Sequence, residues 1–407
     1  MIKTNLLQTP LFCLAAFLFF SCNVKQKSIV DAGFTFAEAQ TENMLDTLSE
    51  HQTADKFFPK SIDKDGNITV AGIYDWTSGF FPGSLWYLYE YSQDTAWKNK
   101  AEKWTSLLEP VKDFYGHHDV GFMIYSSYGN GYRLTHNEAY KAIIVQAAKS
   151  LSKRYNPKVG AILSWDTDKG WQSERGWKYP VIIDNMINLE LLFKATEFSG
   201  DSSFYKIAVS HADRTLENHF RADYSSYHVV DYDPETGAVR NRHTAQGYAH
   251  ESAWARGQAW AVYGFEFCYR ETKDERYLKQ AENVADFILN SPNLPEDMVP
   301  YWDFNDPDIP NTYRDASSAA IIASALLSLS ELSETKKADR YKNAAIKMLE
   351  SLSSKEYQAE LGTNQGFLLK HSVGSIPHNN EIDAPLAYAD YYYLEALLKY
   401  KKLQDKN

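Results

Sequence analysis

Two aspartates stand out in this chain by the company they keep. Asp184 lies in the run Tyr179-Pro180-Val181-Ile182-Ile183-Asp184-Asn185-Met186-Ile187-Asn188-Leu189. Pro180 can open a helix, and the residues after it are apolar on almost every side. A helix apolar all round is buried, which puts Asp184 inside the protein near a helix N-terminus. Burial disfavours the charged carboxylate and lifts its pKa toward neutrality, as a general acid requires. The helix dipole opposes this by at most ~2 kcal/mol. Asp119 is the second acid, in His117-His118-Asp119-Val120-Gly121-Phe122, between a loop and an apolar run. Two such acids point to proton transfer on a sugar. Asn188, one helical turn beyond Asp184, is placed to orient it. His117 or His118 is placed to hold Asp119. A buried helix-capping aspartate is the plain structural alternative for Asp184.

Other residues suit sugar recognition. Trp76 lies in Tyr74-Asp75-Trp76-Thr77-Ser78-Gly79-Phe80-Phe81-Pro82-Gly83, where flanking Gly and Pro let an indole face a pyranose; a core tryptophan at a helix start fits equally. The segment Gln246 to Trp260 carries Arg256 and Trp260 four residues apart, on one helical face. Arg256 offers a bidentate partner for a carboxylate or vicinal hydroxyls, or else a structural ion pair. His228 stands alone and by its own context reads as a surface histidine. Asp303, Asp306, Asp308 and Asp315 are further acids, Asp315 more simply a helix N-cap before Ala316-Ser317-Ser318.

The elements that must position these residues are helical. A polar anchor, an aromatic three residues on and a small or apolar residue seven on recur at Asp94/Trp97/Ala101, Asn137/Tyr140/Ile144, Asp201/Phe204/Ala208 and Asp274/Tyr277/Ala281. Tyr341/Ala345 repeats the pattern without the anchor. The spacing is one face of a helix, and each unit follows an earlier helical run. These units and a terminal helix opened by Asp383-Ala384-Pro385-Leu386 predict about six helical hairpins, an all-α (α/α)6 barrel with long loops at one mouth. Phe122–Tyr125 and Tyr227–Tyr232 read as small ribbons.

The 407 residues carry a net charge of -11, which argues against nucleic acid and against an anionic membrane surface. Lys3, an apolar run over residues 11–20 and Ser21-Cys22 resemble a bacterial lipoprotein signal, with Cys22 the lipidated residue and the cell envelope the location. Residues 22–35 then read as a tether and 36–407 as one catalytic domain. Cys268 is the remaining cysteine of that body, so no intrachain disulfide is expected, and nothing has metal-ligand spacing.

Taken together, Tyr74-Asp75-Trp76-Thr77-Ser78-Gly79-Phe80, His118-Asp119-Val120-Gly121-Phe122, Asp184-Asn185-Met186 and Trp254-Ala255-Arg256-Gly257-Gln258-Ala259-Trp260 resemble the signatures of unsaturated glucuronyl hydrolases, glycoside hydrolase family 88. The resemblance runs from about residue 35 to 400 and implies an (α/α)6 barrel without a cofactor. It implies removal of a 4,5-unsaturated glucuronyl residue from lyase-generated oligosaccharides by hydration of the C4=C5 double bond. Asp184 would be the acid and base, and Asp119 would assist. Trp76, His118, His228, Gln246, Arg256 and Trp260 would contact the uronate. Ser372 and Ser375, with His378, would contact sulfate on the next sugar. Many relatives carry a lysine where this chain has Ile376-Pro377, which turns attention to ulvan-derived sulfated rhamnose as well as glycosaminoglycans. The competing readings are an unsaturated rhamnogalacturonyl hydrolase, an inverting glycosidase on a saturated glycan, and a glycan-capturing lipoprotein with no catalysis.

Overall fold

The computed structural model describes residues 28–406. The lipoprotein-type segment and Cys22 lie outside them. Helix α1 spans Ile29–His51, with the Ser28 side chain capping the N–H of Asp31 at 3.1 Å. Val30 and Phe34 are buried, and Phe34 stacks on Tyr91 at 4.1 Å. The expected tether is therefore shorter than 22–35, because two apolar residues in it find a core to enter.

Strands β1 (Phe58–Ile62) and β2 (Ile68–Ala71) form a hairpin before α2 (Phe80–Ser92) and α3 (Thr95–Ser106). The next helix is interrupted, as α4 (Val120–Ile124), a π turn over Tyr125–Gly129, and α5 (Asn130–Thr135). Then come α6 (Glu138–Ser152), the short strands β3 (Tyr155–Asn156) and β4 (Ala161–Ile162), and β5 (Pro180–Ile182). Helices α7 (Asn185–Ser199) and α8 (Ser202–Asn218) lead to β6 (Val229–Tyr232) and β7 (Val239–His243). Helices α9 (Ala255–Thr272), α10 (Glu275–Asn290), α11 (Ala316–Ser330) and α12 (Thr335–Leu352) follow, then β8 (Ser372–Ser375), β9 (Asn380–Ala384) and α13 (Ala387–Asp405).

Helices α2, α4–α5, α7, α9, α11 and α13 pack side by side, and α13 returns to α2, which closes an inner ring. Helices α1, α3, α6, α8, α10 and α12 lie outside it. This is the (α/α)6 barrel. Composition sorts the two layers. Helix α11 is small and apolar, with all but its last residue buried. The outer α10 and α12 bury one stripe and turn charged residues to solvent. The repeat anchors Asp94, Asn137, Asp201 and Asp274 are the N-caps of α3, α6, α8 and α10, each accepting a backbone N–H.

Three local expectations are corrected. Residues 122–124 are helical rather than a ribbon, because Phe122, Met123 and Ile124 are buried on every side of a short inner helix. Pro180 opens a strand rather than a helix, since Val181 and Ile182 pair with Val230 and Val229; a strand's first residue tolerates proline. Asp383 is not a helix cap but a residue of β9, and α13 starts beyond it at Ala387. The ribbon expected near Tyr227–Tyr232 is β6.

Candidate active site

The N-terminal ends of the inner helices carry the site. Trp76 precedes α2, Asp119 and Asp184 occupy the N-cap positions of α4 and α7, Arg256 is in the first turn of α9, and Asp315 caps α11. A pocket of about 510 Å³ opens among them, lined by Trp76, His118, Asp119, Asp184, Gln246, Arg256 and Ser375 together with Trp165, Trp171 and His378.

Asp184 reaches this position through the small sheet. Antiparallel pairing of β5 with β6 continues one residue beyond the strands, where the N–H of Ile183 donates to the carbonyl of His228 at 3.0 Å. The next residue, Asp184, thus stands beside His228, whose Nε2 is 3.7 Å from Asp184 Oδ2. The carboxyl makes no side-chain cap bond to α7, so the capping alternative fails. Burial raises its pKa to about 7; Arg256 pulls it down, Asp119 pushes it up, and the Trp260 indole lowers it slightly. The expected partner Asn188 faces the other way. Its Oδ1 accepts the N–H of Phe122 at 3.0 Å, and its Nδ2 lies 3.4 Å from His118 Nδ1. It clasps α4 to α7 instead of orienting the acid.

Asp119 has the opposite environment. His117 Nδ1 is 3.1 Å from its Oδ2, and His118 Nε2 is 3.2 Å from its Oδ1. Burial alone would raise this carboxyl, but the two imidazoles and Arg154 hold it below its usual value. His118 itself is lowered to about 4 by burial. The two aspartates are therefore split near neutral pH, Asp119 ionised and Asp184 able to carry a proton.

Arg256 is 1% exposed. Its guanidinium donates to the carbonyls of Val373 and, at 2.7 Å, Gly374, and lies 3.5 Å from Asp315 Oδ2. Gln246 reaches the same Gly374 carbonyl at 3.4 Å. The structural ion pair foreseen for Arg256 is real, and it anchors β8 at the pocket wall. His228, Trp260 and Ser372 are buried and do not line the pocket, although His228 stands directly beside Asp184. Asp303 and Asp306 serve their own loop, accepting from Tyr248 and Ser252, and from Trp302 and Thr312. Asp308 is exposed. Trp165, Trp171, Gln172, Asn379 and Asn380 line the pocket without having been singled out; the sole advance signal was a loop rich in tryptophan. Among the described residues no cluster of His, Cys, Asp or Glu could hold a metal ion, and Cys268 is buried in α9.

A split pair of acids in an indole-walled pocket, at one mouth of a helical toroid, defines a carbohydrate-active hydrolase. Comparison with known proteins narrows this class. The chain belongs to glycosyl hydrolase family 88, whose model matches residues 50–400. It is 45% identical over 364 residues, 89% of each protein, to an unsaturated glucuronyl hydrolase of Formosa agariphila. It is similar to the crystal structure of an unsaturated glucuronyl hydrolase specific for heparin, with a TM-score of 0.86, 44% identity, and coverage of 92% of this chain and 98% of that one. A mutant unsaturated glucuronyl hydrolase of Streptococcus agalactiae, crystallised with dGlcA-GalNAc6S, matches with a TM-score of 0.75 and 30% identity over 92% of each chain.

Proposed function

We propose that this enzyme removes a 4,5-unsaturated glucuronyl residue from the non-reducing end of lyase-generated oligosaccharides by hydrating the C4=C5 double bond. The observation that carries this reading is the splitting of Asp184 from Asp119. Hydration of a vinyl ether needs one group that gives a proton and then takes one. Protonated Asp184 donates to C4, and positive charge develops at C5 and the ring oxygen. Ionised Asp119 stabilises that charge. Asp184, now a carboxylate, accepts a proton from the water that attacks C5. The hemiketal so formed opens, and the leaving sugar is released without attack on the anomeric carbon. A single acid with a pKa of about 7 is matched to both proton transfers.

The substrate's own charge fits the mouth. Helix N-termini converge there, and their dipoles with Arg256 favour a uronate carboxylate in an otherwise acidic protein. Trp76 and Trp165 offer faces to the sugar rings. The substrates proposed are unsaturated glycosaminoglycan disaccharides or ulvan fragments. The segment ending at Cys22 supports a lipid-anchored enzyme of the cell envelope, which a Cys22→Ala variant released from the membrane fraction would bear out.

The test is loss of the ultraviolet absorbance of the unsaturated uronate on lyase digests of chondroitin, heparin and ulvan, run in parallel. Decay on one digest is expected, absent from Asp184→Asn. Cleavage of a saturated glycan with no decay on any digest overturns the reading.

A further inference from the structure

The two acids stand on different inner helices, and one buried serine joins the segments that lead to them. Ser164 lies two residues beyond β4 and is fully buried. It runs beside β5, the strand that leads to Asp184. Its N–H donates to the carbonyl of Pro180 at 3.0 Å. Its Oγ accepts the N–H of Ile182, two residues before Asp184, at 3.0 Å. Its own carbonyl accepts the N–H of His118, the residue before Asp119, at 3.2 Å. The hydroxyl thus stands where a neighbouring strand's carbonyl would face β5, and the Ser164 carbonyl is left free for the Asp119 loop.

The serine is itself held from behind. Arg154 is buried just past the end of α6. Its Nε donates to the carbonyl of Leu163, the residue before Ser164, at 2.8 Å. Its Nη1 donates to the carbonyl of Tyr115 at 2.7 Å and lies 3.0 Å from the Asp166 carboxylate. One guanidinium therefore ties the loop ahead of Asp119 to residues on both sides of Ser164. A planar fork of donors suits this; a lysine ammonium, a point charge, does not reproduce it. Two further contacts close the join. His117 and Trp165 pair as an isolated antiparallel bridge, and Asn185, next to Asp184, donates from Nδ2 to the carbonyl of Ile162 at 2.9 Å.

We propose that Ser164, held by Arg154, is a positioning residue for the hydration and sets the separation of Asp184 from Asp119. This deepens the proposed function and rests on it for the roles of the two acids. The hydrogen bonds of Ser164 go to backbone groups and not to either carboxyl, so it acts through the strand and the loop. The separation matters because a displacement of about 1 Å at a reacting group can cost about 100-fold in rate. It matters also because the charge of Asp119 helps keep the proton on Asp184. Without Oγ the buried N–H of Ile182 has no acceptor, and β5 loosens from the Asp119 loop.

The test compares Ser164→Ala with wild type in turnover and in melting. In Ser164→Ala, kcat is expected to fall about tenfold with KM changed less than about threefold. The alkaline limb of kcat/KM is expected to move to lower pH, because Asp184 draws away from the charge of Asp119. The other groups that face Asp184, namely His228, Arg256 and Tyr388, are the same in both proteins. Thermal melts read the same geometry without substrate. The Asp184 pKa is raised on folding, so stability falls as pH rises through it; a lower pKa makes that loss smaller. The melting deficit of Ser164→Ala should therefore shrink between about pH 5 and 8. A deficit constant with pH beside an unmoved limb, as a merely structural serine gives, overturns the proposal. If Ser164→Ala does not fold, Arg154→Lys decides, since it keeps the charge and leaves the bonds to β5 in place. It should lower kcat about threefold and move the limb the same way; an unmoved limb there overturns the proposal. Wild-type protein that bleaches no unsaturated disaccharide would overturn the hydration reading instead, while the melts still decide the positioning.

Discussion

His228 Nε2 lies 3.7 Å from Asp184 Oδ2, and the backbone decides which nitrogen carries the proton. The N–H groups of Ala245 and Gln246 donate to His228 Nδ1 at 3.1 and 3.2 Å, so the hydrogen is on Nε2 and faces the acid. Burial holds the imidazole well below its usual pKa, so it is a neutral donor. At 3.7 Å the two do not hydrogen-bond, but the N–H dipole facing Asp184 favours its ionised form. Removing it in His228→Ala should raise the Asp184 pKa further and move the alkaline limb of kcat/KM to higher pH, with kcat down about 10- to 100-fold. The pH–rate profile checks both.

Asp119 acts on Asp184 in the other direction. Its negative charge helps keep the Asp184 proton on. In Asp119→Asn the Asp184 pKa should fall and the alkaline limb should move to lower pH, opposite to His228→Ala. We expect kcat to drop about 100-fold with KM changed less than threefold, since the charge is needed mainly in the transition state. Steady-state kinetics of the two variants across pH 5 to 9, a span of about two units either side of neutrality, would show the opposed shifts.

The raised acid also costs stability. A carboxyl with a folded-state pKa of about 7 against an ordinary value of 3.8 binds more protons folded than unfolded between those values. Stability therefore falls as pH rises through that window and the loss is complete above pH about 7. Asp184→Asn cannot ionise and should escape the loss, gaining up to about 4 kcal/mol near pH 8 while losing at least about 1,000-fold in kcat. Thermal melts of both proteins should diverge with rising pH and converge near pH 4. Parallel melting curves would contradict the burial of Asp184.

The clasp between α4 and α7 depends on a missing side chain. A Cβ on Gly121 would sit 2.6 Å from Asn188 Cα and 2.7 Å from its Oδ1. Gly121→Ala should force the helices apart, weaken the Phe122–Asn188 bond and shift His118 and Asp119 together. The expected cost is about 1–3 kcal/mol of stability with a matching fall in kcat. Denaturant unfolding beside activity checks it.

Much of this was legible because it was local. Asp94, Asn137, Asp201 and Asp274 announced their helices through capping chemistry and a face repeated at fixed spacing, and six hairpins followed. Asp184 was legible because apolar neighbours on every side meant burial whatever the element around it. The misreadings arose where distant contacts decide. Pro180 enters a strand because β6, some fifty residues later, supplies its partner. Asn188 turns away from Asp184 because α4 presents an unpaired N–H. The short apolar run after Asp119 had too few residues for its period to distinguish helix from ribbon. His228 carried no local signal, since its role comes from Asp184 and from the N–H groups of Ala245 and Gln246, all distant in the chain.

The most direct test of the account is the fate of C4 during turnover. An unsaturated glucuronyl disaccharide is turned over in deuterated water and followed by proton NMR. Hydration by Asp184 predicts that the vinylic C4 hydrogen signal disappears no later than the leaving sugar is released, with one deuterium added on a single face of C4. Release of the leaving sugar while the vinylic signal persists would place the attack at the anomeric carbon and contradict the account.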